Sequence, residues 1–200
     1  MKITNKKRRI VLTGGPGGGK TTAIDLIRRE FSGKIATVPE AATIIFSGGI
    51  ERSVNNHVLK TQQKAIFNLQ KNLEDIQRAA FSQSIILCDR GSLDGLAYWP
   101  GSSEEYFQCM NTSLEDELAR YDAVIFFESA AKTGESIRSN NPIRNESDKV
   151  AIVLDDKLQK IWAQHPNFNI IHSSESFINK VMFGINTVKN IIVQYQRETP

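Results

Sequence analysis

A run of glycines near the start of the chain constrains the fold more than any other feature. The segment VLTGGPGGGKTT, residues 11–22, follows an apolar stretch and leads into a sequence with a helical period. It matches the pattern G-x-x-x-x-G-K-[ST] through Gly14, Gly19, Lys20 and Thr21. Backbone N–H groups converge on a phosphate only where several residues adopt dihedrals that a Cβ disfavours. The glycines therefore predict an anion cradle between a strand and a helix.

The predicted phosphate-binding residues are Gly14, Gly15, Pro16, Gly17, Gly18, Gly19, Lys20, Thr21 and Thr22. The helix that follows adds the free N–H groups and the positive dipole of its N-terminus. Lys20 is expected to reach the β and γ phosphates, and the Thr21 hydroxyl is expected to bind Mg²⁺. The predicted cofactors are therefore ATP or GTP together with Mg²⁺. The dinucleotide fingerprint G-x-G-x-x-G is excluded, because its sixth position counted from Gly15 is Lys20.

Apolar runs of strand length alternate with segments of helical period, which is typical of an α/β fold with a parallel sheet covered on both faces. Strands are predicted in RRIVLTG, KIATV, SIILC, AVIFF and NFNIIH. Helices are predicted over 20–33, from Glu40 onward, and over 57–81, 146–163 and 174–195, the last capped by Ser173 or Ser174. The helix over 57–81 is expected to turn a Lys- and Gln-rich face to solvent and to bury Leu59, Ile66, Leu69, Leu73, Ile76 and Ala80.

The composition favours one soluble domain over residues 1–200, because 40% of the 200 residues are hydrophobic. The net charge is +3, and the basic excess lies in residues 6–9. We expect this run to be a solvated flank, with contact to nucleic acid or anionic lipid as the alternative. No long basic stripe with interleaved aromatic residues indicates a nucleic-acid surface. The two cysteines lack the spacing of a disulfide framework or a zinc site, and no apolar stretch is long enough for a transmembrane segment. A cytoplasmic location is therefore expected.

Two carboxylates at strand ends are the candidates for chemistry beside the phosphates. Asp89 follows SIILC and would hold Mg²⁺ directly or through water, or would only cap a turn. Glu40 follows KIATV and would accept the proton of an attacking hydroxyl, or would only cap the next helix. Arg90 would bind a phosphate or form a structural ion pair. Because ligands of open α/β sheets bind at the carboxyl ends of the strands, Glu40 and Asp89 are expected in one crevice.

Further candidates depend on position alone. The polar stretch 129–149 predicts an exposed loop, or lid, in which Arg138 and Arg144 would neutralise charge during transfer or would remain solvated. Asp94 would contact the substrate or would only form a turn with Gly95. Tyr98, Trp99 and Phe107 would line the acceptor pocket or would pack in the core. Base selection is assigned by position to His172 and residues 173–176.

Absent motifs distinguish among the classes of protein that share such a loop. A GTPase would carry N-K-x-D, but NKVM places Met182 where the aspartate belongs. DRGS likewise places Ser92 where D-x-x-G requires glycine. A ring-forming ATPase would carry adjacent acidic residues after its apolar strand, whereas Asp89 is followed by Arg90. The pattern favours transfer to a substrate over hydrolysis.

The segments TGGPGGGKTT, VPEAA, DRGSLDGLAYWPG, YDAVIFFES and NPIRNES together resemble the small P-loop family of AAA-type predicted ATPases. This family groups with nicotinamide riboside kinase-like and deoxynucleoside kinase-like proteins. The resemblance implies a three-layer P-loop sandwich, a five-stranded parallel sheet of order 2-3-1-4-5 and a short lid. In nucleoside and thymidylate kinases the counterparts of Asp89–Arg90 are an Asp/Glu-Arg motif, and Glu40 resembles the acidic residue after their second strand. SIRSNNPIRNE resembles their lid but lacks its dense arginine repeat.

The first functional hypothesis is a Mg-dependent phosphotransferase that binds a nucleotide and a small nucleoside- or nucleotide-like acceptor. Its predicted catalytic residues are Lys20, Glu40, Asp89, Arg138 and Arg144. The alternative is a non-catalytic or weakly hydrolytic ATP- or GTP-binding regulatory module with a protein or lipid partner. The sequence leaves open whether the chain forms a homodimer.

Overall fold

The computed structural model describes residues 8–133, 148–173 and 176–197, with the side chains of Thr133, Gln196 and Arg197 excluded. The strands of its sheet are β1 (Arg9–Thr13), β2 (Ile35–Val38), β3 (Ile85–Asp89), β4 (Ala123–Phe127) and β5 (Phe168–Ile171). The helices are α1 (Lys20–Glu30), α2 (Ala41–Ser47), α3 (Asn56–Ala80), α4 (Asp94–Ala97), α5 (Ser103–Met110), α6 (Leu114–Leu118), α7 (Asp148–Trp162) and α8 (Phe177–Arg197). A short 3₁₀ turn, Ala130–Thr133, follows β4.

The strands form one parallel sheet in the order β2-β3-β1-β4-β5, which confirms the predicted order. The central strand β1 pairs with β3 on one side and with β4 on the other. Leu12 is in register with Asp89 of β3 and with Ile125 of β4. The carboxyl ends of three neighbouring strands therefore meet at the point where the glycine-rich segment begins.

Alternating side chains of the sheet divide the core into two layers. Ile10 and Leu12 of β1 pack on one face with apolar residues of α1 and α8, including Ile27 and Ile185. Val11 faces the other way, into a layer that contains residues of α7. This alternation is the period of a strand buried on both faces. The predicted three-layer α/β sandwich is confirmed.

The long helix α3 is confirmed, but its predicted buried face is only partly correct. Leu59, Ile66, Leu69 and Leu73 are half-buried, and Leu73 packs against the core. Ile76 is exposed, and the most buried residues of α3 are Gln62, Gln63, Phe67, Gln70 and Glu74. The buried stripe is largely polar, because these side chains line a cavity or find hydrogen-bond partners, such as Arg9 for Glu74 and the Glu51 carbonyl for Gln62. An apolar pattern alone cannot identify such a face.

Several boundaries differ from prediction. The helix α8 begins at Phe177, later than predicted, and the Ser176 hydroxyl accepts from the N–H of Asn179, so Ser176 takes the capping role assigned to Ser173 or Ser174. The helices α4, α5 and α6 were not predicted. Residues 134–147, most of the predicted lid, lie outside the described residues. None of the described helices has the length and apolar character needed to cross a membrane.

The prediction that residues 6–9 form a solvated flank is wrong for Arg9. Its guanidinium donates to Glu74 of α3 at 2.7 Å, and both side chains are buried. Glu74 also accepts from Arg120 and from the Tyr121 hydroxyl, each at 2.7 Å. This network fastens α3 to β1 and to the segment before β4.

Candidate functional site

The glycine-rich loop between β1 and α1 has the backbone geometry that its sequence predicts. Gly14 has φ 126°, and a Cβ there would overlap the carbonyl oxygen of Phe127. Gly19, the residue before α1, has φ 90°. Both conformations are unfavourable for residues with a side chain. The loop therefore lies against β4 and leads directly into the N-terminus of α1.

Lys20 is the first residue of α1, and its side chain contacts this loop. Its side chain is buried, and its ammonium donates to the Gly15 carbonyl at 2.6 Å. The N–H of the same residue, Gly15, donates to Asp155 at 2.7 Å. A buried cation beside a glycine-rich loop at a helix N-terminus is suited to a polyanion. The assignment of the loop residues to phosphate binding stays a prediction.

Thr21 and Asp89 meet at the start of α1, where the Thr21 hydroxyl donates to Asp89 Oδ2 at 3.2 Å. Burial, and then the nearby Glu40 carboxylate, raise the pKa of Asp89 to about 6. A bound cation would favour the ionised form. The described residues contain no cluster of three or more His, Cys, Asp or Glu side chains that could hold a metal. One hydroxyl and one carboxylate fit Mg²⁺, which usually keeps waters and takes phosphate oxygens as its other ligands.

Glu40 is the residue before α2, but its side chain accepts no hydrogen bond from the backbone N–H groups of that helix. One carboxylate oxygen accepts from the Thr43 hydroxyl at 2.6 Å, and the other lies 3.3 Å from Arg90 Nε. The helix-cap alternative is therefore wrong for this side chain. Glu40 and Asp89 do share one crevice, since both line the groove between α1 and α2 together with Thr21.

Arg90 has an unusual backbone conformation for a residue with a side chain, with φ 77°. Its N–H donates to the Leu12 carbonyl at 3.0 Å, and its carbonyl accepts from Gln70 at 3.1 Å. The guanidinium donates to the Gly14 carbonyl and to Asp94. Burial alone would lower the pKa of Arg90, but the carboxylates of Asp94 and Glu40 outweigh it and the pKa is raised. The ion-pair interpretation of Arg90 is therefore confirmed.

Asp94 is a buried junction and not an exposed turn. Its carboxylate accepts from the Thr13 hydroxyl at 2.8 Å, from Trp162 Nε1 at 2.8 Å and from Arg90 at 3.1 Å. These donors come from the end of β1, the end of α7 and the residue after β3. Asp94 therefore holds the edge of the sheet together beneath the glycine-rich loop.

A second cavity lies beyond Glu40, between α2, α3 and the segment after β3. Its lining includes Glu40, Phe46, Arg52, Gln63, Ile66, Phe67, Gln70, Arg90, Asp94 and Tyr98. Gln63 is only 5% exposed, and within the described part of the chain its amide makes no hydrogen bond. A buried amide that lines a cavity without a protein partner is suited to a polar ligand.

The aromatic candidates divide between this cavity and the core. Tyr98 lines the cavity, as one of the predicted alternatives allows. Trp99 and Phe107 instead pack edge-on against Tyr106, with ring centroids 5.4 Å apart in each pair. These two residues therefore belong to the core.

Other candidates lie away from these cavities or outside the described residues. The exposed His172 ring lies 3.2 Å from the Glu128 carboxylate at the end of β5. Ser173 donates its N–H to the same carboxylate at 2.9 Å. Arg138 and Arg144 fall in residues 134–147, and residues 174 and 175 also lie outside the described parts. Their predicted roles stay predictions.

Sequence reasoning missed Gln63, Gln70 and Asp155. The signal for the two glutamines was their helical spacing with Phe67 and Glu74, which defines a different stripe from the one predicted. Asp155 likewise falls in register with the buried Leu154, Leu158 and Trp162 of α7. A polar residue at an apolar register of a helix is the pattern that indicates a buried polar contact.

Comparisons with known proteins agree with this geometry. A family described as AAA domain matches residues 9–179. Among solved structures, the chain is similar to deoxyadenosine kinase from M. mycoides with bound dATP, at a TM-score of 0.55 and 15% sequence identity. The similarity covers 90% of this chain and 99% of that one, and it shows a shared fold. A search of curated proteins finds no match. The family match covers most of the chain, and the chain therefore belongs to the AAA domain family, with a kinase-like P-loop fold.

Proposed function

We propose that this protein transfers a phosphoryl group from ATP or GTP, with Mg²⁺, to a small nucleoside- or nucleotide-like acceptor. The observation that carries the proposal is the position of Glu40. It borders the groove of Thr21 and Asp89, and it also borders the cavity that contains Gln63. A carboxylate between a phosphate site and an acceptor cavity is placed to assist attack on the γ phosphate.

The donor nucleotide would bind with its phosphates in the loop of residues 14–19. Backbone N–H groups of the loop and the N-terminus of α1 supply hydrogen bonds, and Lys20 supplies a buried positive charge. Thr21 and Asp89 would hold Mg²⁺. The metal would neutralise charge on the transferred group.

The acceptor would occupy the second cavity. Phe46, Phe67 and Tyr98 provide aromatic surface there, and the Gln63 amide offers both a donor and an acceptor. A flat ring with a hydrogen-bonding edge fits such a lining. The structural similarity to deoxyadenosine kinase supports this class of acceptor.

Glu40 would then accept the proton of the attacking hydroxyl. The Arg90 guanidinium forms an ion pair with the Glu40 carboxylate at 3.3 Å, and the Thr43 hydroxyl at 2.6 Å orients this carboxylate. Arg90 is itself held by Asp94 and by the Gln70 amide. The base is therefore orientated by two side chains, of which Arg90 is buried and Thr43 is half-buried.

The test is product formation with ATP or GTP, Mg²⁺ and a panel of nucleosides, nucleoside monophosphates and nicotinamide riboside, followed by mass spectrometry. We expect nucleoside diphosphate to form only with a suitable acceptor. Glu40→Gln should lower turnover by about 10²- to 10⁴-fold and leave nucleotide affinity within about threefold. Glu51→Gln, at an exposed position, is the control. Diphosphate formation that is independent of every acceptor would contradict the proposal.

A nucleotide-dependent regulatory module is the second candidate. The observation that favours it is the exposure of Phe177, Ile178 and Phe183 on α8, since exposed apolar residues often mark partner surfaces. Tight nucleotide binding without turnover, and a protein or lipid partner retained only with the triphosphate, would support this alternative. Partner binding that is the same with and without nucleotide would exclude it.

A further inference from the structure

Asp155 of α7 is a fully buried carboxylate that the proposed reaction does not use. Its Oδ1 accepts from the N–H of Gly15 at 2.7 Å and from the N–H of Ser129 at 2.9 Å. Its Oδ2 lies 2.9 Å from the ammonium of Lys132. A buried charge is tolerated only when it is paired and hydrogen-bonded. Oδ1 accepts two hydrogen bonds, and Oδ2 is compensated by the ion pair with Lys132.

The N–H and the carbonyl of Gly15 are each hydrogen-bonded to a different side chain. Asp155 accepts from its N–H, while its carbonyl accepts from the Lys20 ammonium at 2.6 Å. If Lys20 turns towards a phosphate, only the Asp155 contact remains of these two. A second tether joins the Ser129 hydroxyl to the Pro16 carbonyl at 2.7 Å. The start of the loop is therefore anchored to residues that do not themselves face the phosphates.

The charge of Asp155 creates an electrostatic problem beside a polyanion site, because like charges at short range repel. The positive charge of Lys132 offsets this repulsion. The same ammonium also lies 3.0 Å from Asp156 Oδ1 and 3.5 Å from Glu128 Oε1. Burial alone would lower the pKa of Lys132, but the bonds to Asp155 and Asp156 outweigh it and the pKa is raised. Lys132 therefore stays charged across the physiological pH range.

We propose that Asp155 is a positioning residue for the phosphate loop and that Lys132 is its charge partner. Asp155 holds the Gly15 peptide so that the loop keeps the shape that admits a triphosphate. Lys132 offsets part of the negative charge that would otherwise repel the ligand. This inference rests on the triphosphate-binding part of the proposed function and is independent of the acceptor.

The experiment is calorimetric titration of the full chain with Mg·ATP and, separately, with inorganic triphosphate and Mg²⁺. Asp155→Ala should bind both probes at least tenfold more weakly, because the Gly15 N–H loses its acceptor. Asp155→Asn should bind within threefold of the unaltered chain, because the amide oxygen accepts from the same two N–H groups. Asp156→Asn, at a partly exposed site that contacts only Lys132 among these residues, is the control and should bind within twofold.

The charge partnership is tested by two more variants. Lys132→Met should weaken binding at least threefold, because it leaves the buried carboxylate uncompensated. Combining it with Asp155→Asn removes both charges and should restore affinity to within twofold of Asp155→Asn alone. A purely structural role predicts instead that the two losses add. Lys132→Met and the double variant test the proposed charge partnership even if Asp155→Ala fails to fold.

Equal losses in Asp155→Ala and Asp155→Asn would overturn the positioning role, as would unchanged binding in Asp155→Ala. A double variant weaker than either single variant would overturn the charge partnership. All of these outcomes leave the proposed transfer reaction intact. Failure of the unaltered chain to bind either probe would overturn the proposed function and this inference together.

Discussion

Asp89→Asn should make the ligand-free protein more stable near neutral pH, although it removes a residue of the proposed site. Burial and the Glu40 carboxylate raise the pKa of Asp89 to about 6, against an ordinary value of about 3.9. Each pKa unit corresponds to about 1.4 kcal/mol, so ionised Asp89 costs the fold roughly 3 kcal/mol at pH 7.5. Asparagine avoids the charge but still buries an amide. We therefore expect a gain of about 1 to 3 kcal/mol.

The sign of the pH dependence follows from the same pKa. A carboxyl group with a higher pKa in the folded than in the unfolded chain binds its proton preferentially when folded. The loss of folding stability caused by ionised Asp89 is therefore absent below about pH 4 and is fully present above the folded pKa of about 6. The advantage of Asp89→Asn should accordingly be large at pH 7.5 and small at pH 4.5.

The assay is urea and thermal unfolding of both proteins at these two pH values, without nucleotide. For a chain of this length, 1 kcal/mol corresponds to a Tm change of about 2 to 4 °C. Asp25→Asn is the matched control, because Asp25 lines the same groove but is exposed, and its effect should stay within about 0.5 kcal/mol. With Mg·ATP present, Asp89→Asn should gain less stability from the ligand than the unaltered chain. A variant no more stable than the unaltered protein at pH 7.5, or an equal gain at both pH values, would refute the reasoning.

Three further variants test separate parts of the structure. Lys20→Ala should weaken ATP and GTP binding by about 10- to 100-fold in calorimetry, the value of a charged hydrogen bond, and unaltered affinity would contradict phosphate binding by the loop. Gly14→Ala should destabilise the protein by about 2 to 4 kcal/mol in urea unfolding, because a Cβ there meets the Phe127 carbonyl. Glu74→Ala should cost about 3 to 5 kcal/mol, because Arg9 and Arg120 lose a buried partner, whereas Glu115→Ala should change stability little.

The parts of the fold that depend on local sequence patterns could be predicted from the sequence. The apolar runs predicted the strands, since a parallel strand covered on both faces must be apolar throughout. The order of the strands came from the resemblance to a family and not from periodicity. At the site, the strand-end rule brought Glu40 and Asp89 into one crevice, because parallel strands end at a common edge.

The errors share a physical cause, which is that polar residues were assigned to the surface. Gln63 and Gln70 lie on the buried face of α3, and Arg9 is buried against Glu74. Each is stable there only because a partner or a cavity from a distant part of the chain is present. Such partners are separated by tens of residues, so no local pattern reports them. A polar residue in an apolar helical register is the one local sign, and Asp155 shows it.

The strained backbone of Arg90 links the buried polar residues of α3 to the proposed site around Glu40. A φ of 77° is energetically costly for a residue with a side chain, and this conformation persists only where the surrounding structure enforces it. The Gln70 amide bonds both the Arg90 carbonyl and Glu74, each at 3.1 Å. This arrangement keeps the guanidinium between Glu40 and Asp94. The polar stripe of α3 therefore has two roles. Gln70 helps to hold Arg90 at the carboxyl edge of the sheet, and Glu74 binds Arg9 and Arg120, which an apolar side chain could not do.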